Sequence, residues 1–335
     1  MKVLLYTENE KMFSKSGLGK AIKHQMLALE SAGIEYTTNK KDDYDIIHLN
    51  FYGIKSYFLA KKANKKGKKV VYHAHSTEED FRGGFIFCKQ ISPLFKKWLI
   101  KCYSLGDIIV TPTPYSKRLL EGYGIRKKIV AISNGIELEL FKKDKKAGDL
   151  FRKKYGYSKD DKVIIGIGLY IERKGIVDFV ELAKMLPQYK FIWFGYSPLA
   201  AATKPVRDAV NTKLSNLKFA GYVPQEDIKE AMNGCDVYLF PTFEETEGIP
   251  IIEACACKAN AIIRDIPIFD DWLIDGVNVY KAKNLNEFRK KINYIISGKL
   301  TNLGNEEYKV ARERDIKKVG LQLKNVYEDV IKGDY

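Results

Sequence analysis

The sequence predicts an α/β protein made of two doubly wound parallel sheets in series, and three observations carry that prediction. Short apolar runs rich in β-branched residues alternate with amphipathic helical segments along the whole chain. The runs are apolar throughout instead of alternating, as strands covered on both faces are. The pattern stops at the basic stretch FKKDKKAGDLFRKKYG and then restarts. At 335 residues and 45% hydrophobic content, the chain can bury a core in each of two domains.

In the front half the strands are KVLLY, YDIIHL, KVVYHAH, DIIVTP and KIVAIS; in the rear half they are KVIIGIG, YKFIWFG, LKFAGYV, DVYLFP and NAIIRD. Charge and glycine replace apolar periodicity between 142 and 160, which puts one domain at 1–145 and the other at 146–314. Two such halves imply a cleft between them, with ligands at the carboxyl ends of the strands.

Composition narrows the partners. Five cysteines (88, 102, 235, 255, 257), with no CxxC spacing, argue against a disulfide framework or a zinc site, and Cys255 and Cys257 read as small buried helix residues. Met1 leads straight into a strand, so no cleavable leader is expected, and the longest apolar run, 163–171, is about half of the ~20 residues of a membrane span. A reduced, cytoplasmic protein is expected. The net charge of +15 is uneven: residues 1–150 carry +12 and the remainder +3. The front half suits an anionic surface, and nucleic acid and an anionic membrane leaflet both fit.

Three loop-borne motifs bear the chemistry. SKSGLGKAIKHQ follows the first strand, so Gly17 and Gly19 allow close backbone approach at a helix start. It lacks the third glycine of a dinucleotide fingerprint, and a tight turn without a ligand reads equally simply. In GLYIERKG, Arg173 and Lys174 stand before Gly175 and an amphipathic helix. Cations at a helix entrance oppose its dipole, and an anion in front would remove the conflict; the plain alternative is water-facing charge.

In EETEGIPIIEACA, Pro250 suits the first helical turn, leaving the amides of Gly248 and Ile249 pointing outward. Glu253 lies one turn into the helix and Glu245 in the loop before it. Carboxylates accept hydrogen bonds from vicinal hydroxyls, whereas lysine and a helix start favour phosphate. A ligand that is both diphosphate and polyol is a nucleotide sugar. A solvated acidic loop is the alternative. The FDD at 269–271 lacks partner ligands, so no metal site is expected there.

Residues 82–104 add a possible acceptor element. Ser92 can cap and Pro93 can start a helix whose broad apolar face holds Leu94, Phe95, Trp98, Leu99 and Cys102, with Lys96, Lys97 and Lys101 opposite. A helix lying in a membrane interface and a domain helix packed on a sheet share that periodicity.

These motifs together resemble the retaining glycosyltransferases of family 4 with the GT-B fold, two Rossmann-like domains facing a cleft. Glu245 and Glu253 keep the seven-residue separation of that family's paired glutamates. KIVAISNGIELELF resembles its Asn-Gly strand end with a following Phe (Asn134, Gly135, Phe141), and GYVPQEDIKEAMNGCDVYLFPT the segment leading to the glutamates. RERDIKKVGLQLKNVYEDVI resembles the last helix, which in the family crosses back to the N-terminal domain and would here occupy 315–335.

The resemblance implies that Lys174 and Arg173 hold the donor diphosphate, and that Glu253 holds the ribose. It places Glu245 with the backbone of Gly248 and Ile249 at the sugar and phosphates, Gly17 and Gly19 near the diphosphate, and Tyr222 with Val223 at the base. His75, ending the strand KVVYHAHS, matches the histidine that contacts the donor sugar; His73, on the same strand face, is the competing candidate. By itself a strand histidine is more often a satisfied core residue. Two departures stand out: Thr246 and Glu247 replace a small-aromatic pair, and Leu169 replaces an arginine, which makes Arg173 the substitute cation.

Within the family, KSGLGKAIKHQ, HAHSTEEDF and EETEGIPIIEA look most like bacterial enzymes that add a second hexose to monoglucosyldiacylglycerol. That likeness implies metal-independent transfer from UDP-glucose or UDP-galactose, with retention and without a cofactor, to a glycolipid acceptor. It also implies peripheral attachment to the anionic inner face of the cell membrane through Phe95, Lys96, Lys97, Trp98 and Lys101. A cytosolic relative acting on a soluble or polyprenyl-linked glycan would share every donor residue. A nucleic-acid-binding protein is favoured by charge alone, with no recognised motif, and a dehydrogenase lacks its fingerprint.

Overall fold

A computed structural model describes residues 1–8 and 16–335. Ser14 and Lys15 of the first glycine motif lie outside the described residues. Two compact units emerge: Met1–Phe81 with Gln90–Glu137 and Arg314–Tyr335, and Arg82–Lys89 with Leu138–Glu313.

In the first unit, β1 (Lys2–Tyr6), β2 (Glu35–Thr37), β3 (Ile46–Leu49), β4 (Lys69–His73), β5 (Ile108–Thr111) and β6 (Lys128–Ala131) form a parallel sheet in the order β2-β1-β3-β4-β5-β6. Alternation within each strand feeds two cores. Val3, Leu5, Ile46, Val71, Ile108 and Val110 pack against the helix Gly17–Ser31 and the last helix, Ile316–Lys332. Leu4, Ile47, Val70, Tyr72 and Ile109 pack against Ile54–Lys65 and Cys88–Tyr103 on the other face.

The second unit repeats the design with β7 (Val163–Ile167), β8 (Lys190–Phe194), β9 (Leu217–Gly221), β10 (Val237–Phe240), β11 (Ala261–Arg264) and β12 (Tyr280–Ala282), ordered β12-β11-β10-β7-β8-β9. The architecture is that of two parallel doubly wound sheets. In each sheet the strand order reverses once, between β1 and β3 and between β7 and β10. At such a switch the following loops diverge to opposite faces and open a crevice at the strand ends. Cys255 and Cys257 are fully buried on the helix Ile249–Cys257, and none of the cysteines is disulfide-bonded among the described residues.

Three local expectations change. The strands β2 (EYT) and β12 (YKA) go beyond those read from the sequence; each is three residues long at a sheet edge, too short and polar to present an apolar run. Strand β4 ends at His73, not His75: the His75 amide turns back to the His73 carbonyl at 3.2 Å, a three-residue turn that leaves the ladder. The helix expected from Pro93 starts at Cys88 and carries Pro93 inside it, in its second turn.

Candidate active site at the switch of the second sheet

Strand β7 ends at Ile167, and Glu172–Lys174 form a single 3-10 turn before the helix Ile176–Met185. Gly175 joins them at φ 74°, and a Cβ there would lie 2.2 Å from the Pro241 carbonyl oxygen. Glycine is therefore required for the β7 and β10 loops to touch. Backbone bonds then stitch the two loops. The Phe243 amide donates to the Arg173 carbonyl at 2.7 Å, and the Thr242 hydroxyl oxygen lies 3.0 Å from the same carbonyl.

This stitching brings Arg173, Lys174 and Glu245 together. Lys174 Nζ lies 2.5 Å from Glu245 Oε1, Arg173 Nη1 lies 3.6 Å from Oε2, and the Thr242 hydroxyl donates to Oε1 at 2.9 Å. Arg173 also donates to the Glu244 carbonyl at 2.6 Å. Burial pushes the Glu245 carboxyl up, but Lys174 and Arg173, with the bonds from Lys174 and Thr242, outweigh it and hold the group below its ordinary range. The carboxylate thus provides part of the neutralisation that the sequence reading gave wholly to a ligand. Lys174 and Arg173 are thus paired with Glu245 before any ligand arrives.

Glu253 is fully buried on the helix Ile249–Cys257, which Gly248 introduces at φ 89° with Pro250 in its first turn. Among the described residues no side chain caps this helix start, so the Gly248–Ile249 corner presents a backbone positive pole beside the cations. Tyr238 lies beneath both acids; burial, then Glu253 and Glu245, push its phenol well above the usual range, so it stays neutral. Arg264, ending β11, donates to the Pro241 carbonyl at 3.0 Å, pairs with Asp178 and stacks on Phe243 at 3.8 Å, fixing the loop from below. Thr242, Tyr238 and Arg264 were not singled out from the sequence; a charged residue closing the apolar run NAIIRD was the available signal. Tyr222 follows β9 and is exposed, with Val223 half-buried beside it.

In the first unit, Gly17 opens the helix Gly17–Ser31, and the Gly19 amide donates to the Ser16 hydroxyl at 3.3 Å. His73 is buried and stacked on the partly exposed His75, with ring centroids 3.8 Å apart. His75 Nε2 meets Asn50 Oδ1 at 3.0 Å.

The helix Cys88–Tyr103, for which a membrane face and a core face were both open, turns much of its apolar side to the core. Leu99 and Cys102 are fully buried, and Phe95 and Trp98 pack against the same core, with Trp98 donating to the Tyr52 carbonyl at 2.7 Å. Lys96 lies over the Tyr123 ring and Lys101 over Tyr57. The apolar face thus serves mainly the domain core. What stays exposed is Ile91 and Leu94 in the first turns, Ile54 and Phe58 on the neighbouring helix, and Phe85, Ile86 and Phe87 just before. Exposed Lys61, Lys62, Lys65, Lys97 and Lys101 follow these apolar turns on the two helices.

Among the described residues no cluster of His, Cys, Asp and Glu could hold a metal ion, and no helix is long and apolar enough to cross a membrane. Asp270 of the FDD pairs with Lys281 at 2.8 Å.

Comparison with known proteins places the chain among relatives. Residues 148–315 match the family described as Glycosyl transferases group 1, and residues 33–140 match Glycosyltransferase Family 4. The chain is 43% identical over 333 residues, 99% of both chains, to the processive diacylglycerol alpha-glucosyltransferase of Acholeplasma laidlawii. It is 25% identical to the alpha-galactosylglucosyldiacylglycerol synthase of Streptococcus pneumoniae over 75% of this chain and 66% of that one. The fold superposes on Anabaena Alr3699/HepE, solved in complex with UDP and glucose, with a TM-score of 0.80 at 16% identity, covering 98% and 99% of the two chains. Sucrose-phosphate synthase from Thermosynechococcus elongatus gives the same TM-score at 14% identity, over 99% and 100%.

Proposed function

Because the chain belongs to the family 4 glycosyltransferases of the GT-B fold, we propose that it transfers glucose from UDP-glucose, with retention, to a diacylglycerol-based acceptor, monoglucosyldiacylglycerol included. One observation carries the reading: Arg173, Lys174 and Glu245 converge at the strand-order switch of the second sheet, beside the uncapped Gly248 helix start. That corner suits a diphosphate leaving group. Lys174 and Arg173 oppose its developing charge, and prearranged dipoles need little reorganisation as the bond from the anomeric carbon to the phosphate oxygen breaks and the acceptor oxygen takes its place. Glu253 takes the ribose hydroxyls as an acceptor-only group, Glu245 and the Gly248 and Ile249 amides take the sugar and phosphates, and Tyr222 and Val223 flank the base. His75 contacts the sugar. Glucose is favoured over galactose by the name of the 43%-identical relative.

The acceptor side rests on exposed apolar residues with basic neighbours. Ile54, Phe58, Ile91 and Leu94 form the apolar front, and Lys61, Lys62, Lys65, Lys97 and Lys101 lie behind it on adjacent helices. Shallow insertion of these side chains with lysines at anionic headgroups would hold the protein peripherally at the inner face of the membrane, at about 1 kcal/mol per lysine near the surface.

The test is direct. The protein is incubated in anionic mixed micelles with radiolabelled UDP-glucose or UDP-galactose and with diacylglycerol, its monoglucoside or a soluble glycan. Labelled glucolipid with retained α configuration is expected. Label appearing only in the soluble glycan would replace the lipid reading with a cytosolic one.

A further inference from the structure

The first unit holds a polar cluster that the donor corner does not use. His48 on β3 is fully buried, and its Nδ1 meets the Tyr327 hydroxyl, from the last helix, at 2.7 Å. Its Nε2 lies 3.0 Å from Gln25 Nε2, on the glycine-loop helix, and 3.2 Å from His73 Nδ1. Asn50, just past β3, donates from Nδ2 to Gln25 Oε1 at 2.8 Å and offers Oδ1 to His75 Nε2 at 3.0 Å. His73 covers one face of the His75 ring at an interplanar angle of 12°, and its own Nε2 is buried with no hydrogen-bond partner among the described residues.

A carboxamide has one donor end and one acceptor end, so a string of them has a direction. The Gln25 amide gives its NH2 to His48 Nε2, which therefore accepts, and the His48 proton sits on Nδ1 against the Tyr327 oxygen. Asn50 then faces His75 with its carbonyl, and only an Nε2–H can donate to it. Moving the His48 proton to Nε2 would turn both amides over and leave His75 Nε2 facing an NH2 group.

Resting on the reading of His75 as a sugar-contacting group, we propose that Tyr327, His48, Gln25 and Asn50 form a directional chain of positioning residues. The chain holds the His75 imidazole in its Nε2–H tautomer and in one ring plane. Burial lowers His48 and His75 to about 3 and holds His73 well below its ordinary value, so the rings are neutral near pH 7 and the tautomer is the variable the chain controls. The last helix thereby acts on the sugar histidine through four side chains.

The chain contains four histidines, few enough to resolve by ring 15N labelling and long-range 1H–15N correlation. In the unaltered protein His75 is expected as Nε2–H. Tyr327→Phe and Gln25→Leu should move its ring nitrogens toward a tautomer mixture. They should also lower kcat about fivefold to tenfold while UDP affinity stays within about twofold. Asn50→Asp keeps an acceptor toward His75 and should retain both signal and rate better than Asn50→Leu. Tyr327→Phe deletes one oxygen, so it keeps the test informative if a larger change unfolds the protein. An Nδ1–H signal for His75 in the unaltered protein, or unchanged His75 signals in Gln25→Leu and Asn50→Leu, would overturn the proposal. Unchanged transfer by His75→Ala, with the tautomer shifts present, would remove the sugar reading of His75 and leave the chain standing.

Discussion

The two sheets put opposite electrostatics beside the same topological feature. Past β7 and β10, at the reversal of the second sheet, stand two cations and buried carboxylates tied by an ion pair at 2.5 Å. Past β3 and β4, next to the reversal of the first sheet, stand histidines and amides joined by uncharged hydrogen bonds. The wound fold creates a crevice at each place, and the side chains decide whether it handles charge or hydroxyl groups. An ionised corner suits a diphosphate, and a neutral one suits a sugar.

The sharpest way to break that contrast is to remove the central cation. Lys174→Ala should reduce transfer and UDP affinity by about two orders of magnitude or more, since it deletes the closest positive charge. It should also lower stability by about 2 kcal/mol, because buried Glu245 would keep Arg173, at 3.6 Å, as its cation and the Thr242 hydroxyl as its nearer donor. Radiolabel transfer and thermal melting read the two effects separately. Full activity in this variant would end the division of labour.

Acid separates the regions next. The histidines have folded pKa values below their ordinary 6.5, with His24 at about 4 and His48 and His75 at about 3. The unfolded chain binds protons that the folded one refuses, so their contribution is full above about 6.5 and falls as pH drops toward 3 to 4. By pH 5 each should cost on the order of 1 to 2 kcal/mol. The contribution of Glu245 is present above its ordinary 4.5 and is lost only as pH falls through its lower folded value. Hydrogen exchange corrected for intrinsic rates should therefore lose protection at β3 and β4 between pH 7 and 5, before β7 and β10. The reverse order would show that the histidines are not held neutral.

The smallest effect concerns the glycine loop. Ser16→Ala removes the side-chain acceptor of the Gly19 amide and should cost about 1 kcal/mol in the first unit alone, seen as a lower urea midpoint.

Much of this was legible in the sequence because it is local. The runs KVLLY and KVIIGIG announced buried parallel strands, and the order of GLYIERKG and EETEGIPIIEACA placed Lys174, Glu245 and Glu253 at strand ends. Periodicity could not say which apolar face of residues 88–103 met the sheet, and the core took Phe95 and Trp98. The pairing of Lys174 with Glu245 spans 71 residues and that of His48 with Tyr327 spans 279. No single-sequence pattern encodes such contacts, because the loops and helices bringing them together are set by tertiary packing.

The helix Ile316–Lys332 has one more consequence. Val319, Leu323, Val326, Tyr327 and Val330 complete a core begun by Val3 and Leu5. During translation, the first unit must wait with that face unsealed until Ile316–Lys332 has cleared the ribosomal tunnel, while the second unit has all its residues by Glu313. The unit begun first thus receives its closing helix only after the other has all its residues.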